Sequence, residues 1–227
     1  MEQNDILHLF FSQEKEYLEF KKNRSNNTEF DKDGMLQYIK DVCAIPYGTF
    51  IDYIRVHPHS QMIDSLDLTQ SSNIIHCKAE LCEAFLRSND RGLTLTEIGA
   101  LLHNDDKERT QNTLNRFGRD QTYTGRQLGL TRLFSNGKWY LSAIGKVFLL
   151  LDENTQNAII ARCLLRDPLY HRLVVDMLEE DIQLTDYMID LDSESTIKRR
   201  KSSIKGVLKI IFNEVNKECP NKIHTAK

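Results

Sequence analysis

The chain has 227 residues, 40% hydrophobic and 28% charged, which suffices for one large domain or two small ones with their own cores. Ten glycines and four prolines exclude a collagen-like or low-complexity protein, and a net charge of −3 names no partner by itself. No apolar run approaches the roughly 20 residues of a membrane-spanning helix, and MEQNDILHLFF lacks the basic and apolar regions of a secretory leader.

Five cysteines, Cys43, Cys77, Cys82, Cys163 and Cys219, are scattered, with no CxxC pair. An odd, unpatterned set reads as small buried hydrophobes in a reducing compartment, so a cytoplasmic location is expected.

Residues 1–70 carry the weakest pattern. Met35, Leu36, Ile39, Val42 and Cys43 have helical spacing, and Pro46 and Gly48 end that helix. TFIDYIRV (49–56) fits a strand or a short helix, and NRSNNTEFD (23–31) reads as a loop. His57-Pro58-His59 reads as a loop rather than a metal pair, because the proline constrains it and no third ligand is near in sequence.

From Ser72 the pattern sharpens. Ser72 or Asn73 is expected to cap a helix bearing Ile74, Cys77, Leu81, Cys82 and Phe85, closed at Asn89–Gly92 by a left-handed glycine. Thr94-Leu95-Thr96-Glu97 is a capping box opening a helix with Ile98, Leu101 and Leu102. Asp105-Asp106-Lys107-Glu108 repeats the acidic signature and predicts a third helix with Leu114 and Phe117 inward. The period then changes to two. TRLF (131–134), Ser135-Asn136-Gly137-Lys138 and WYL (139–141) predict a β-hairpin with a type I′ Asn-Gly tip. Ser142 caps a helix with Ile144, Val147, Phe148 and Leu151.

Three helices and a hairpin, closely joined, predict a winged helix-turn-helix. The last third adds a helix with Ile159, Ile160, Cys163 and Leu164, then Asp167-Pro168 as N-cap and N1 of a helix with Leu169, Leu173, Val174 and Met177. A short element near Thr185–Ile189 and a long helix striped by Ile197, Ile204, Leu208, Ile211 and Val215 complete a second, wingless helix-turn-helix-like unit.

Charge is segregated along the chain. Residues 107–132 hold six basic residues against two acids, and 195–209 hold six basic residues and no acid. Between them, 167–192 holds eight acids against Arg172 alone. Each basic stretch falls on the third helix of its predicted unit, the helix that such motifs lay in the major groove. The first also offers Thr110, Gln111, Asn112, Thr113 and Asn115, whose polar groups pair with base edges or phosphates. On Lys198-Arg199-Arg200-Lys201 the register of Ile197 and Ile204 turns Arg200 inward, toward an acid of 176–192, and leaves the other three outward.

The stretch from about residue 73 to 215 resembles the winged-helix domain attached to bacterial restriction endonucleases and AAA-associated proteins. The matching pieces are LTLTEIGALL (93–102), LGL (128–130), GKWYLSAIGKVFL (137–149) and STIKRRKSSIKGVLKII (195–211), with Val207 and Ile210 where that group commonly has Trp. The resemblance implies DNA docking in a prokaryotic restriction or defence setting, and no chemistry by itself.

One catalytic alternative remains. Glu19-Phe20-Lys21 is the E-x-K half of a restriction-type nuclease motif, in which Glu19 would help hold Mg²⁺ and Lys21 would sit near the attacking water. LEFK (18–21) also resembles the opening of AlbA/Schlafen-type domains, without their glycine-rich continuation. No P-loop, dinucleotide fingerprint or Gly-x-Ser-x-Gly elbow is present.

The sequence therefore predicts a mainly α chain: residues 1–70 of mixed character, a winged helix-turn-helix over 71–152 and a helix-turn-helix-like unit over 153–227. The expected partner is double-stranded DNA, with a second copy of the chain or a nuclease or ATPase subunit as protein partners, and no membrane. Expected DNA contacts are Lys107, Arg109, Gln111, Asn112, Asn115, Arg116, Arg119, Arg126, Lys138, Lys198, Arg199, Lys201, Ser202 and Lys205. No cofactor is expected, and Mg²⁺ enters only with the nuclease alternative. A third reading is a winged-helix scaffold whose basic faces meet acidic proteins.

Overall fold

Apolar residues spaced three and four apart dominate the chain, and among the described residues they produce eleven α-helices and one two-stranded antiparallel sheet. A computed structural model describes residues 2–25, 29–59, 63, 68, 74–89, 91–103, 107–188, 191, 193–218 and 224–226, the side chains of 24–25 and 74–78 excepted. The expected caps Ser72 and Asn73, the acids Asp105 and Asp106, the side chains of Ile74 and Cys77, and Cys219 lie outside what is described.

In chain order the elements begin with α1 (Gln3–Ser12), α2 (Glu14–Ser25), α3 (Lys32–Ala44), α4 (Tyr47–Val56), α5 (Ile74–Arg87), α6 (Leu95–Leu102) and α7 (Gln111–Gln127). They continue with β1 (Thr131–Leu133), β2 (Trp139–Leu141), α8 (Ala143–Val147), α9 (Glu153–Leu164), α10 (Pro168–Asp176) and α11 (Glu194–Glu218). The 49–56 segment is thus helical. The chain divides into two units, one of residues 1–11, 40–72 and 153–227, the other of 12–39 and 73–152.

In the 12–39/73–152 unit, Leu81, Phe85, Leu93, Ile98, Leu130, Leu141, Ile144 and Phe148 are buried together with the ring of Trp139. The capping box forms: Thr94 Oγ1 accepts the Glu97 amide at 3.3 Å, and Glu97 Oε2 accepts the Thr94 amide at 2.8 Å. Ser142 Oγ likewise accepts the Gly145 amide at 2.9 Å. Leu93 forms an isolated antiparallel bridge with Trp139, its amide and carbonyl both paired. β1 and β2 pair with Thr131 opposite Leu141 and Leu133 opposite Trp139.

Three local expectations are corrected. Asn89, not Gly92, takes the left-handed conformation after α5, at φ 55°. Gly92 is instead held small by Tyr140, whose phenol ring end occupies the place a Cβ would take. The third helix starts at Gln111, capped by Thr110, because the Thr110 hydroxyl accepts the Thr113 amide at 3.3 Å while 107–110 remain non-helical. The hairpin tip is not type I′, since only Gly137 of the Asn-Gly pair has positive φ, 72°. The Gly137 amide donates to Phe134, and the Phe134 amide to Lys138, which makes a three-residue loop closed by a left-handed glycine.

In the other unit, α1, α4, α9, α10 and α11 bury Phe10, Phe50, Ile54, Ile160, Leu173, Ile204, Leu208 and Ile211. Asp167 caps α10 with Pro168 at its first position, accepting the Leu169 amide at 3.1 Å. Arg162 is buried, and its guanidinium donates to the carbonyls of Cys43 and Ile45, where α3 ends, and to that of Ala158 in its own helix α9. Cys82 and Cys163 are buried thiols and Cys43 is half-buried. No helix among the described residues is long and apolar enough to cross a membrane.

Candidate nucleic-acid interface

α6 and α7 cross through two glycines. A Cβ on Gly99 would meet the carbonyl oxygen of Leu114, and one on Gly118 would meet that of Leu95. Backbone contact at this crossing fixes α7 against α6 near its middle, and the N-terminal part of α7 is left in solvent. Lys107, Glu108, Arg109, Thr110, Gln111, Asn112, Thr113, Asn115 and Arg116 are all exposed, while Leu114 and Phe117 are only half-buried. Both were expected inward, and both are covered only in part. Phe117 packs on the His103 ring at 4.1 Å.

Along α7 the positions Asn112, Arg116, Arg119, Tyr123 and Arg126 follow one another at intervals of four, three, four and three, so they form one line on the helix. The line is about 21 Å long at 1.5 Å per residue. Its three arginines are exposed and Tyr123 is half-buried. The side chains of Gln111, Asn112 and Arg116 make no hydrogen bond or ion pair among the described residues. Asn115 is placed differently, with Nδ2 donating to Thr96 Oγ1 of α6 at 3.5 Å. Arg119 Nε lies 3.6 Å from Asp120 and the Arg126 guanidinium lies 5.5 Å over Tyr123.

Tyr123 joins α7 to the hairpin, its ring 5.3 Å from that of Trp139. Residues 135–138 are exposed, so Lys138 stands at the hairpin tip. Hydrogen bonds from the Thr94 amide and hydroxyl hold the Glu97 carboxyl below its ordinary range, helped by Arg91 and by Lys138. Glu97 is therefore an anion at neutral pH, and it keeps the start of α6 tied down beside these cations. Sequence reading missed the two crossing glycines and Tyr123. A Gly at the fifth residue of α6 and another at the eighth of α7 were the available signal.

On α11 the second basic stretch follows the apolar register except at Lys201, which was expected outward and is half-buried. Lys198, Arg199, Ser202, Lys205 and Lys209 are exposed, Lys201 is half-buried and Arg200 is buried. Arg200 Nη1 donates to the carbonyl oxygen of Leu68 at 2.8 Å. Lys198, Ser202, Lys205 and Lys209 form a line at intervals of four, three and four.

Glu19 and Lys21 lie on α2, half-buried and exposed respectively. Two residues apart on a helix, they project roughly 200° apart and do not converge on one ion or water. The strand-borne geometry that the E-x-K reading requires is therefore absent at this triplet. His57 and His59 also serve separate neighbours, His57 stacking on Tyr53 at 4.2 Å and His59 lying 5.5 Å from the His171 ring. Among the described residues no three His, Cys, Asp or Glu side chains are grouped to hold a metal ion.

Compared with protein families, curated proteins and solved structures, the chain matches none.

Proposed function

We propose that this chain is a DNA-binding protein of the winged-helix type, with α7 as its recognition helix and the β1–β2 hairpin as its wing. The observation that carries this reading is the line Asn112, Arg116, Arg119, Tyr123 and Arg126 on one face of α7, with Gln111 beside its start. A helix fits the roughly 12 Å major groove, where Asn and Gln pair with adenine edges and Arg with guanine or phosphate. The order of elements supports it: α5, a bridge at Leu93, α6, α7 and then the hairpin whose second strand accepts that bridge. The resemblance of 93–102, 128–130 and 137–149 to winged-helix domains of restriction systems makes a prokaryotic restriction or defence system the proposed setting. Its protein partner there is a second copy of the chain or a nuclease or ATPase subunit.

The test is a binding titration on duplex DNA at two salt concentrations. Affinity that falls steeply with salt supports the reading. Arg116→Ala should weaken binding to all sequences alike, whereas Asn112→Ala should relax preference at one base pair by about 1–3 kcal/mol. Wild-type binding in both variants would remove α7 from the interface.

A further inference from the structure

The cations of α11 are distributed in a way that packing does not explain. Lys198, Arg199, Lys201, Lys205 and Lys209 form no ion pair or hydrogen bond through their side chains among the described residues. Elsewhere in the same unit cations are matched: Arg172 pairs with Asp176 at 3.7 Å, Arg55 with Glu179, and Lys217 with Glu214. Acids are abundant in this unit, and Glu194 stands one turn before Lys198, yet no ion pair joins an acid to the outward cations of 198–209 among the described residues. Uncompensated like charges on adjacent turns of one helix cost a few tenths of a kcal/mol per pair, so a partner that neutralises them gains by doing so.

We infer that the outward face of α11, built from Lys198, Arg199, Ser202, Lys205 and Lys209, is a second DNA-binding surface that grips phosphates without reading sequence. The side-chain chemistry selects this mode of binding. Four of these residues are cations and the fifth is a serine, so the face offers no amide to pair with a base edge, unlike Gln111 and Asn112 of α7. Lysine is a point charge on a flexible stem, suited to phosphate rather than to a planar bidentate fork. From Lys198 to Lys209 the line advances about 16 Å, the axial span of roughly five phosphates on one strand. A lipid surface is disfavoured because the opposite face of α11 is already committed: Ile204, Val207, Leu208, Ile211 and Val215 are buried in the unit's own core. The proposal extends the duplex-binding reading but stands on a different helix, so it can fail while that reading holds.

The experiment uses the full chain and a labelled 30-bp duplex of random sequence, titrated from low to moderate salt. Changing Lys198, Arg199, Lys205 and Lys209 to Gln should flatten the slope of log affinity against log salt by about 3.6, near 0.9 for each phosphate left without its cation. A companion with Lys198→Arg, Arg199→Lys, Lys205→Arg and Lys209→Arg keeps the charge and should keep the wild-type slope. If the quadruple Gln variant melts below wild type, the double variant Lys198→Gln/Lys205→Gln replaces it, with an expected change of about 2. An unchanged slope overturns the proposal, and Arg116→Ala measured beside it then shows whether α7 still binds. Equal loss in the charge-keeping companion also overturns it, since packing would be the cause. Tighter binding of poly-glutamate than of duplex through the same four residues would assign the face to an acidic protein instead.

Discussion

Gly118 lies against Gly99 with no room for a side chain: a Cβ on Gly118 would lie 2.9 Å from the Gly99 amide nitrogen and run into the Leu95 carbonyl oxygen. Alanine favours a helix over glycine by about 1 kcal/mol, but here it forces two backbones apart. Gly118→Ala should therefore lower stability by about 2 kcal/mol net, in the range of overpacked cores. Urea denaturation measures this directly, and an unchanged midpoint would mean that α6 and α7 cross at a greater distance.

Adjacent arginines on α11 should behave oppositely. Arg200→Ala removes a buried stem and leaves the Leu68 carbonyl without its 2.8 Å donor, at a cost of about 1–3 kcal/mol. Arg199→Ala touches an exposed side chain and should change stability by less than about 0.5 kcal/mol while weakening duplex binding. Melting curves beside binding titrations separate the two. Normal melting of Arg200→Ala with unfolding of Arg199→Ala would refute the helical register.

At the hairpin tip a side chain on Gly137 would meet nothing within 4 Å, so any cost of substitution comes from backbone conformation alone. Gly137→Val, at φ 72°, should cost about 1–2 kcal/mol in the hairpin and leave the helical circular dichroism intact. Gly137→Asn should cost less, because asparagine tolerates this region better.

Stability should also depend on His171. Burial pushes its pKa below the ordinary 6.5, opposed by backbone acceptors at Leu165 and Ile54, while nearby His59 adds to the lowering. The folded protein thus resists a proton that the unfolded chain accepts. Stability falls as pH drops below about 6.5, and the loss continues down to the folded-state value. His171→Gln should flatten that decline in urea titrations between about pH 7.5 and 5.5. A decline of wild-type size in the variant would assign it to other groups.

Local signals were legible where one short stretch contains both partners. Thr94 with Glu97, Ser142 with Gly145, and Asp167 with Pro168 each settle a helix start within three residues, and the apolar stripe of α11 identifies Arg200 as the inward cation. Choices made by distant neighbours were not legible. Leu68 reaches Arg200 across 132 positions, and Tyr140 rather than backbone freedom explains Gly92. Thr110 displaced the acidic cap because 107–110 stay out of the helix. The first 70 residues resisted reading because their rings pack on far-off elements. Phe10 receives the Arg166 guanidinium at 4.4 Å, and Phe20 meets Phe134 at 4.5 Å. For the candidate interface, the basic and amide residues were visible in the sequence, but their alignment into one line on α7 needed the helix start at Gln111.

The path of the chain through its two units sets an order of assembly. The unit of 12–39 and 73–152 has all its parts once residue 152 has been made, whereas the other unit waits for α9, α10 and α11. On a ribosome adding about 5–20 residues per second, the unit carrying α7 is complete several seconds before its companion has all three of those helices. During that interval residues 1–11 and 40–72 have no core to join, and Phe10, Phe50 and Ile54 remain available to chaperones. A stop codon after residue 152 would thus spare the α7 unit and strand the rest, whereas no single cut releases the other unit in one piece.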